Sequence, residues 1–143
     1  MAKKILIIDD NDNNRLLMSD ILQYRGYEIL EADGGEKGVN MARELKPDLI
    51  LLDMQMPGMD GFAATKILKD DPATRDIKII VVTSLAMKGD KEKIIAMGVD
   101  DYVAKPIDTR QFPVLVEKYI GPAGSVIGNK DRGENGKSKN FSG

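Results

Sequence analysis

Apolar runs of strand length alternate along the chain with segments in which apolar residues recur at helical spacing. The apolar runs predict five strands, at 4–9, 27–32, 48–53, 77–83 and 99–104. The helical spacing predicts helices within 12–25, 36–46, 61–69, 88–97 and 109–120. The runs at 48–53 and 77–83 are apolar on both faces, which is typical of central parallel strands. The polar alternation at 27–32 indicates an edge strand instead.

Sequence features of two predicted helices indicate where they begin or end and which face is apolar. In the first, we expect Leu17, Ile21 and Leu22 on one apolar face, and Gly26 is placed to end the helix in a left-handed conformation. Pro113 falls within the last helix, where an interior proline costs about 3 kcal/mol. We therefore expect that helix to start late, near Phe112, or to be kinked.

Five repeats of strand and helix predict an α/β fold with a parallel sheet covered on both faces, a doubly wound arrangement. The predicted domain occupies residues 1–120 of the 143-residue chain. Residues 121–143 hold six of the 14 glycines and little apolar periodicity, which indicates a disordered tail or linker. Ligands of open α/β sheets bind beyond the carboxyl ends of the strands.

Composition narrows the classes of function. The chain has no cysteine and no histidine, which excludes disulfides, thiolate or imidazole metal ligands and a phosphohistidine of its own. A net charge of -2 argues against binding nucleic acid, which requires a basic field. No apolar run approaches the roughly 20 residues of a membrane span, so no membrane association and a cytoplasmic location are expected.

Acidic, hydroxyl and ammonium side chains stand where the predicted strands end. Asp9 and Asp10 follow the first strand, Asp53 ends the third, Thr83 ends the fourth and Lys105 follows the fifth. Because the carboxyl ends of parallel strands meet at one edge of the sheet, we expect these groups to lie together. Three carboxylates so close repel one another by roughly 4 kcal/mol per pair at 4 Å, and a divalent cation and the lysine supply the counter-charge. Oxygen ligands suit Mg²⁺.

Each feature also has an ordinary structural explanation. Asp9 and Asp10 could cap the following helix, Lys105 could be a surface lysine, Thr83 could simply finish a strand, and Tyr102 could be an edge-strand aromatic. The glycine-rich motifs that cradle a nucleotide phosphate do not occur, and two acids stand in their place. The acids would repel a bare phosphate and attract a cation.

The full set of motifs, in order, is more specific than any part of it. It comprises Asp9-Asp10, Asp53, the segment 56–61 (MPGMDG), Thr83-Ser84, Tyr102 and Lys105-Pro106. Together these residues resemble the receiver domain of bacterial two-component response regulators, of the stand-alone, CheY-like type, over residues 4 to about 120. The resemblance implies a flavodoxin-like sheet of strand order 2-1-3-4-5.

The resemblance also implies roles for individual residues. Asp53 matches the aspartate that accepts a phosphoryl group from a histidine kinase or a histidine phosphotransfer protein. Asp10, Asp53 and the backbone carbonyl of Gln55 match direct Mg²⁺ ligands, and Asp9 matches the acid that holds a metal-bound water. Lys105 matches the lysine that contacts the phosphoryl oxygens.

Thr83 and Tyr102 match the pair of residues that switches conformation, and the output would be altered contact with a downstream target protein. Such a domain catalyses its own phosphorylation and dephosphorylation, and does not turn over an external substrate. We expect a monomer or weak dimer, because Pro113 lies on the face that this family often uses to dimerise.

Three alternatives stay open at this point. The chain could be a receiver excised from a longer regulator with a DNA-binding or enzymatic output domain. A haloacid-dehalogenase-type phosphatase would also use a strand-end aspartate and Mg²⁺, but it would need an acid at Gln55. A pseudo-receiver that binds partners without phosphorylation would usually lack one of the acids or the lysine, all of which are present.

Overall fold

The protein folds around one parallel sheet. Its computed structural model describes residues 2–84 and 88–124, apart from the side chains of 88–90. Strands and helices alternate in the order β1 (Lys4–Ile8), α1 (Asp12–Tyr24), β2 (Glu28–Ala32), α2 (Gly35–Leu45), β3 (Leu49–Leu52), α3 (Gly61–Asp70), β4 (Lys78–Thr83), α4 (Lys88–Ala96), β5 (Asp101–Ala104) and α5 (Gln111–Ile120). The predicted α/β class and alternation are confirmed.

The sheet has the order β2-β1-β3-β4-β5, with every neighbouring pair parallel. The order reverses between β1 and β3, so the carboxyl ends of these two strands flank the crevice where such sheets bind ligands. Ile8 of β1 pairs with Leu52 of β3, which brings the residues that follow each strand to the same level. The strand order expected from the resemblance is confirmed.

Alternate residues of each strand face two separate apolar layers. Ile5 and Ile7 of β1 pack in a cluster with α1 and α5, whereas Leu6 and Ile8 pack in a cluster with α2, α3 and α4. Both faces of β3 are buried, as its apolar run predicted. Gly38 of α2 allows that helix to approach closely, since a Cβ at Gly38 would lie 2.4 Å from the Ile8 side chain.

The buried face of α1 differs from the prediction. Leu22 is buried and Ile21 packs against the same apolar cluster, as predicted, but Met18 is buried in the turn before them and Leu17 is 40% exposed. Leucine or methionine occupies each of positions 16, 17 and 18, so the apolar pattern alone did not decide which of them faces inward. Gly26 does end the helix region with a positive φ of 95°, as expected.

Pro113 does not interrupt α5. The helix begins at Gln111, so Pro113 lies in its first turn, where backbone N–H groups have no partner within the helix. Of the two alternatives, the late start near Phe112 is confirmed. Pro113 is buried together with Phe112.

The segment after α5 packs against the opposite end of the sheet from the strand-end acids. The Lys3 N–H donates to the Ala123 carbonyl at 2.9 Å, and the Tyr27 hydroxyl donates to the Gly121 carbonyl at 2.6 Å. Ala123 is 6% exposed. Residues 125–143 of the predicted tail lie outside the described residues.

Candidate functional site

Three acids meet at the carboxyl ends of β1 and β3. Asp9 and Asp10 follow β1 directly, and Asp53 follows β3. One carboxylate oxygen from each of the three lies within 4.8 Å of the others. Asp9 and Asp53 are buried, whereas Asp10 is exposed. The sequence-based expectation that these acids lie together is confirmed.

Lys105 reaches this cluster from the end of β5. Its Nζ lies 3.1 Å from Asp9 Oδ2 and 3.4 Å from Asp53 Oδ2. The Lys105 N–H also donates to the Thr83 carbonyl at 3.0 Å, which joins the loop after β5 to the end of β4. The Lys105–Pro106 peptide bond is cis. The lysine is thus a counter-ion inside the pocket, rather than a surface side chain.

Backbone amides hold the remaining oxygens of the two buried acids. The Asn11 N–H donates to Asp9 Oδ1 at 2.9 Å, and the Gln55 N–H donates to Asp53 Oδ1 at 3.1 Å. Each buried carboxylate is therefore oriented by one amide and by Lys105. The Asp53 carboxylate is fixed at the crevice by contacts from two different loops.

Burial raises the pKa of Asp53 above its ordinary value. The charge of Asp9 acts in the same direction, and the Gln55 N–H and Lys105 oppose the shift without cancelling it. The charged form of Asp53 is thus disfavoured by its surroundings. A cation bound among the acids would stabilise that charged form.

Thr83 and Tyr102 lie in β4 and β5, the two strands on the side of β3 away from β1. Thr83 ends β4 and is fully buried, with 0% exposure. Tyr102 lies in β5, paired in register with Val81, and is half-buried against the apolar layer that contains α4. Tyr102 also borders an apolar groove of about 350 Å³ between β5 and α5.

The loop between β3 and α3 passes close to the helix that follows it. A Cβ on Gly61 would lie 2.5 Å from the Asp53 carbonyl oxygen and 2.5 Å from Met54 Cα, so only glycine fits there without a shift. Asp60 caps α3, its side chain accepting the Ala63 N–H at 2.9 Å. This close packing determines where the segment carrying Asp53 lies relative to α3.

Two contacts at the site were not predicted. The Ser84 hydroxyl donates to Gln55 Oε1 at 2.7 Å, linking the loops after β4 and β3. Arg15 of α1 donates to the Asp9 carbonyl at 2.7 Å. The only sequence signal for the arginine is its spacing of three residues from Asp12, which indicates a pair on the helix but not a contact with β1.

The donor set fits a hard divalent cation. Asp9, Asp10 and Asp53 offer carboxylate oxygens at one point, with Asp10 open to solvent. Mg²⁺ prefers such oxygen ligands and keeps several waters in its coordination sphere. The acids outnumber the single lysine among them, so a cation is electrostatically favoured.

A family model matches most of the sequence that forms this fold. Residues 5–117 match the model of the response regulator receiver domain. The chain belongs to that family, and it is a receiver domain of two-component systems. Receiver domains bind Mg²⁺ in this acidic pocket and interact with histidine kinases and downstream targets.

Curated relatives are similar over their whole length. The polar-differentiation response regulators DivK of Brucella anthropi and of Brucella abortus are 42% identical over 123 residues, which is 86% of this chain and 100% of each relative.

Solved receiver structures are similar as well. The chemotaxis protein CheY4 of Vibrio cholerae is 25% identical, with a TM-score of 0.78, over 83% of this chain and 99% of that one. The receiver domain of a sensor histidine kinase from Pseudomonas aeruginosa PAO1 is 30% identical, with a TM-score of 0.78, over 85% of this chain and 99% of that one. The latter structure has a magnesium ion coordinated in its active site cleft.

Within the part of the chain that the structure describes, none of the helices has the length and apolar character needed to cross a membrane.

Proposed function

We propose that Asp53 is the phosphoryl acceptor of this receiver domain. The donor would be a phosphohistidine of a histidine kinase or phosphotransfer protein, in the cytoplasm. The observation that carries the proposal is the convergence of Asp9, Asp10 and Lys105 on the Asp53 carboxylate, with Lys105 Nζ 3.4 Å from Asp53 Oδ2. Asp9 makes an equivalent pair of contacts, so the choice of Asp53 as the acceptor rests on its match to the acceptor position of receiver domains.

The proposed reaction is a phosphoryl transfer between two side chains. A carboxylate oxygen of Asp53 forms a bond to phosphorus as the bond from phosphorus to the donor imidazole breaks, and the imidazole nitrogen takes up a proton from solvent. Lys105 lies close enough to Asp53 to pair with the oxygens of the transferred group. Water later hydrolyses the acyl phosphate and restores the carboxylate.

Asp10, Asp53 and the backbone carbonyl of Gln55 would hold Mg²⁺ directly, and Asp9 would hold one of its waters. When bound, the ion neutralises charge on the phosphoryl oxygens. Asp10 suits the role of a direct ligand because it is the exposed member of the cluster. The Gln55 N–H already holds Asp53 Oδ1 at 3.1 Å, which keeps the loop carrying the carbonyl beside the pocket.

Thr83 and Tyr102 would form the switch that reads the phosphoryl group. The Thr83 hydroxyl, at the end of β4, would turn toward the new dianion on Asp53, and the Tyr102 ring would move into the space that it leaves. Shifting a two-state equilibrium from 1:99 to 99:1 requires about 5.5 kcal/mol of differential affinity. A downstream protein that contacts the region around β5 would then bind more tightly to one of the two conformations of Thr83 and Tyr102 than to the other.

Labelling with a small acyl phosphate tests the acceptor assignment. With Mg²⁺ and the donor, we expect the protein to gain one base-labile phosphate, and we expect Asp53→Asn to gain none. Asp60→Asn is the matched control, because Asp60 caps α3 in the same loop and should be dispensable for labelling. Undiminished labelling of Asp53→Asn would refute the assignment.

A further inference from the structure

One arginine of α1 contacts three separate segments around the acidic pocket. Nη1 of Arg15 donates to the Asp9 carbonyl at 2.7 Å, and Nε donates to Glu31 Oε1 of β2 at 3.2 Å. Nη2 donates to the carboxylate of Asp12 in the first turn of α1. The Arg15 side chain is only 14% exposed. The guanidinium therefore joins the end of β1, the start of α1 and the edge strand.

These contacts contribute little to stability as ion pairs. The Asp12 side chain is 88% exposed and that of Glu31 is 45% exposed. Ion pairs with such exposed partners are each worth roughly 0–1 kcal/mol. The planar fork of arginine instead fixes the direction of several acceptors at once, which a lysine cannot do.

The contact with the Asp9 carbonyl bears directly on Asp10. That carbonyl and the Asp10 N–H belong to the same planar peptide unit, so holding the oxygen restricts the orientation of the whole plane. The residue after Asp10 is held separately, because the Asn11 N–H donates to Asp9 Oδ1. Arg15 thus restrains the peptide plane immediately before the one exposed acid of the cluster.

We propose that Arg15 is a positioning residue for metal binding, which holds the β1–α1 loop so that Asp10 is presented to Mg²⁺. The inference rests on the proposed magnesium site. Groups that orient metal ligands in this way typically change metal affinity by 10–100-fold when they are removed. Arg15 touches none of the proposed ligating oxygens, so its effect on affinity is indirect.

Charge and position predict opposite effects on magnesium affinity, which makes the test decisive. If Arg15 acted only through its positive charge, removing it would strengthen binding of a cation nearby. If it positions Asp10, removing it weakens binding. The variant Arg15→Lys keeps the charge and loses the fork, so charge alone predicts no change for it, whereas positioning predicts weaker binding.

The experiment is a calorimetric Mg²⁺ titration of the full chain and of the variants Arg15→Met and Arg15→Lys. We expect the Kd to rise about tenfold or more for Arg15→Met and by a smaller factor for Arg15→Lys. Arg43→Met is the matched control, because Arg43 of α2 pairs with Asp71 at 2.7 Å outside the pocket, and its Kd should equal that of the unmodified protein.

The rate of amide hydrogen exchange in the β1–α1 loop, measured without metal, is a second test of positioning. The Asn11 N–H, which donates to Asp9 Oδ1, should exchange faster in both Arg15 variants than in Arg43→Met. Should Arg15→Met fail to fold, Arg15→Lys carries both measurements. A Kd in Arg15→Lys equal to that of the unmodified protein would overturn the inference while leaving the magnesium site intact. A lack of Mg²⁺ binding by the unmodified protein would overturn both.

Discussion

Replacing Asp53 with asparagine should stabilise the magnesium-free protein, although it removes the proposed acceptor. Each of the other two acids has an oxygen within 4.8 Å of an oxygen of Asp53, which gives a repulsion of about 3.5 kcal/mol or more for each pair at an effective dielectric near 20. Solvent reduces this for exposed Asp10. The attraction to Lys105 at 3.4 Å is about 5 kcal/mol on the same scale and roughly cancels the repulsion.

The cost of burying the Asp53 charge is then left without compensation. The asparagine amide keeps an oxygen that can accept the Gln55 N–H, and it carries no charge to bury. Lys105 keeps Asp9 as a partner at 3.1 Å, so the substitution leaves no buried charge unpaired. We therefore expect the free energy of unfolding to rise near neutral pH by about 1–2 kcal/mol, the low end of the gains seen when buried ionic groups are replaced by neutral ones. Saturating Mg²⁺ should reverse the order, because the ion binds the unmodified site more tightly.

The gain should depend on pH in a defined direction. Because the folded-state pKa of Asp53 is raised, the folded protein binds more protons than the unfolded chain between the two pKa values. The stability of the unmodified protein therefore falls as the pH rises from the ordinary carboxyl range through the raised pKa. The advantage of Asp53→Asn appears over that window and is absent below it.

Urea unfolding at several pH values, in buffer with a chelator, measures the effect. Asp71→Asn is the control of opposite sign, because the Arg43 hydrogen bond lowers the pKa of Asp71 and the folded state favours its charged form. Asp71→Asn should destabilise near neutral pH, with the effect fading as the pH falls through the lowered pKa. The reasoning is refuted if Asp53→Asn is no more stable than the unmodified protein at neutral pH without metal.

Three further predictions follow from single contacts. Lys105→Met should lower the free energy of unfolding by about 3 kcal/mol without metal, because it leaves two buried acids unpaired. The loss should shrink when Mg²⁺ is added, and an equal loss with and without Mg²⁺ would contradict this. Gly61→Ala should both destabilise the fold and weaken Mg²⁺ binding, as measured by melting and titration. Gly34→Ala is the control: its Cβ has nothing within 4 Å, so Mg²⁺ binding should be unchanged, and stability should fall by no more than about 1 kcal/mol because Gly34 is the N-cap of α2. The hydroxyl of Tyr119 donates to Asp101 at 2.7 Å, which raises the pKa of Tyr119 to about 12, so an ultraviolet pH titration should show one phenol ionising there. Tyr119→Phe should remove that step. The stability that this contact contributes should be lost as the pH rises from about 10 through 12.

The position of the site was predictable because it depends on simple periodicity. Apolar runs fixed where β1, β3 and β4 end, and parallel strands bring those ends together. Asp9 and Asp53 could therefore be expected to converge, and Thr83 to end the next strand of the sheet, without any knowledge of the helices. The strand order came from the resemblance to receivers, because alternation along the chain does not specify which strands are neighbours.

The contacts that fix side chains within the site were not predictable. Arg15 contacts Glu31 and the Asp9 carbonyl because of the way α1 packs against β1 and β2, and the sequence pattern does not specify that packing. The same packing determines that Met18 is buried and Leu17 is partly exposed. The start of α5 was more accessible, because Pro113 itself indicated a late start near Phe112, and the helix begins at Gln111.

The central claim is that one acid, Asp53, carries the phosphoryl group. The most direct measurement treats the protein with a small acyl phosphate and Mg²⁺, reduces the acyl phosphate with borohydride, and maps the modified residue by peptide mass spectrometry. The account predicts homoserine at position 53 and at no other acid. Homoserine at position 9 or 10, or an alkali-stable phosphate on Thr83 or Ser84, would contradict it.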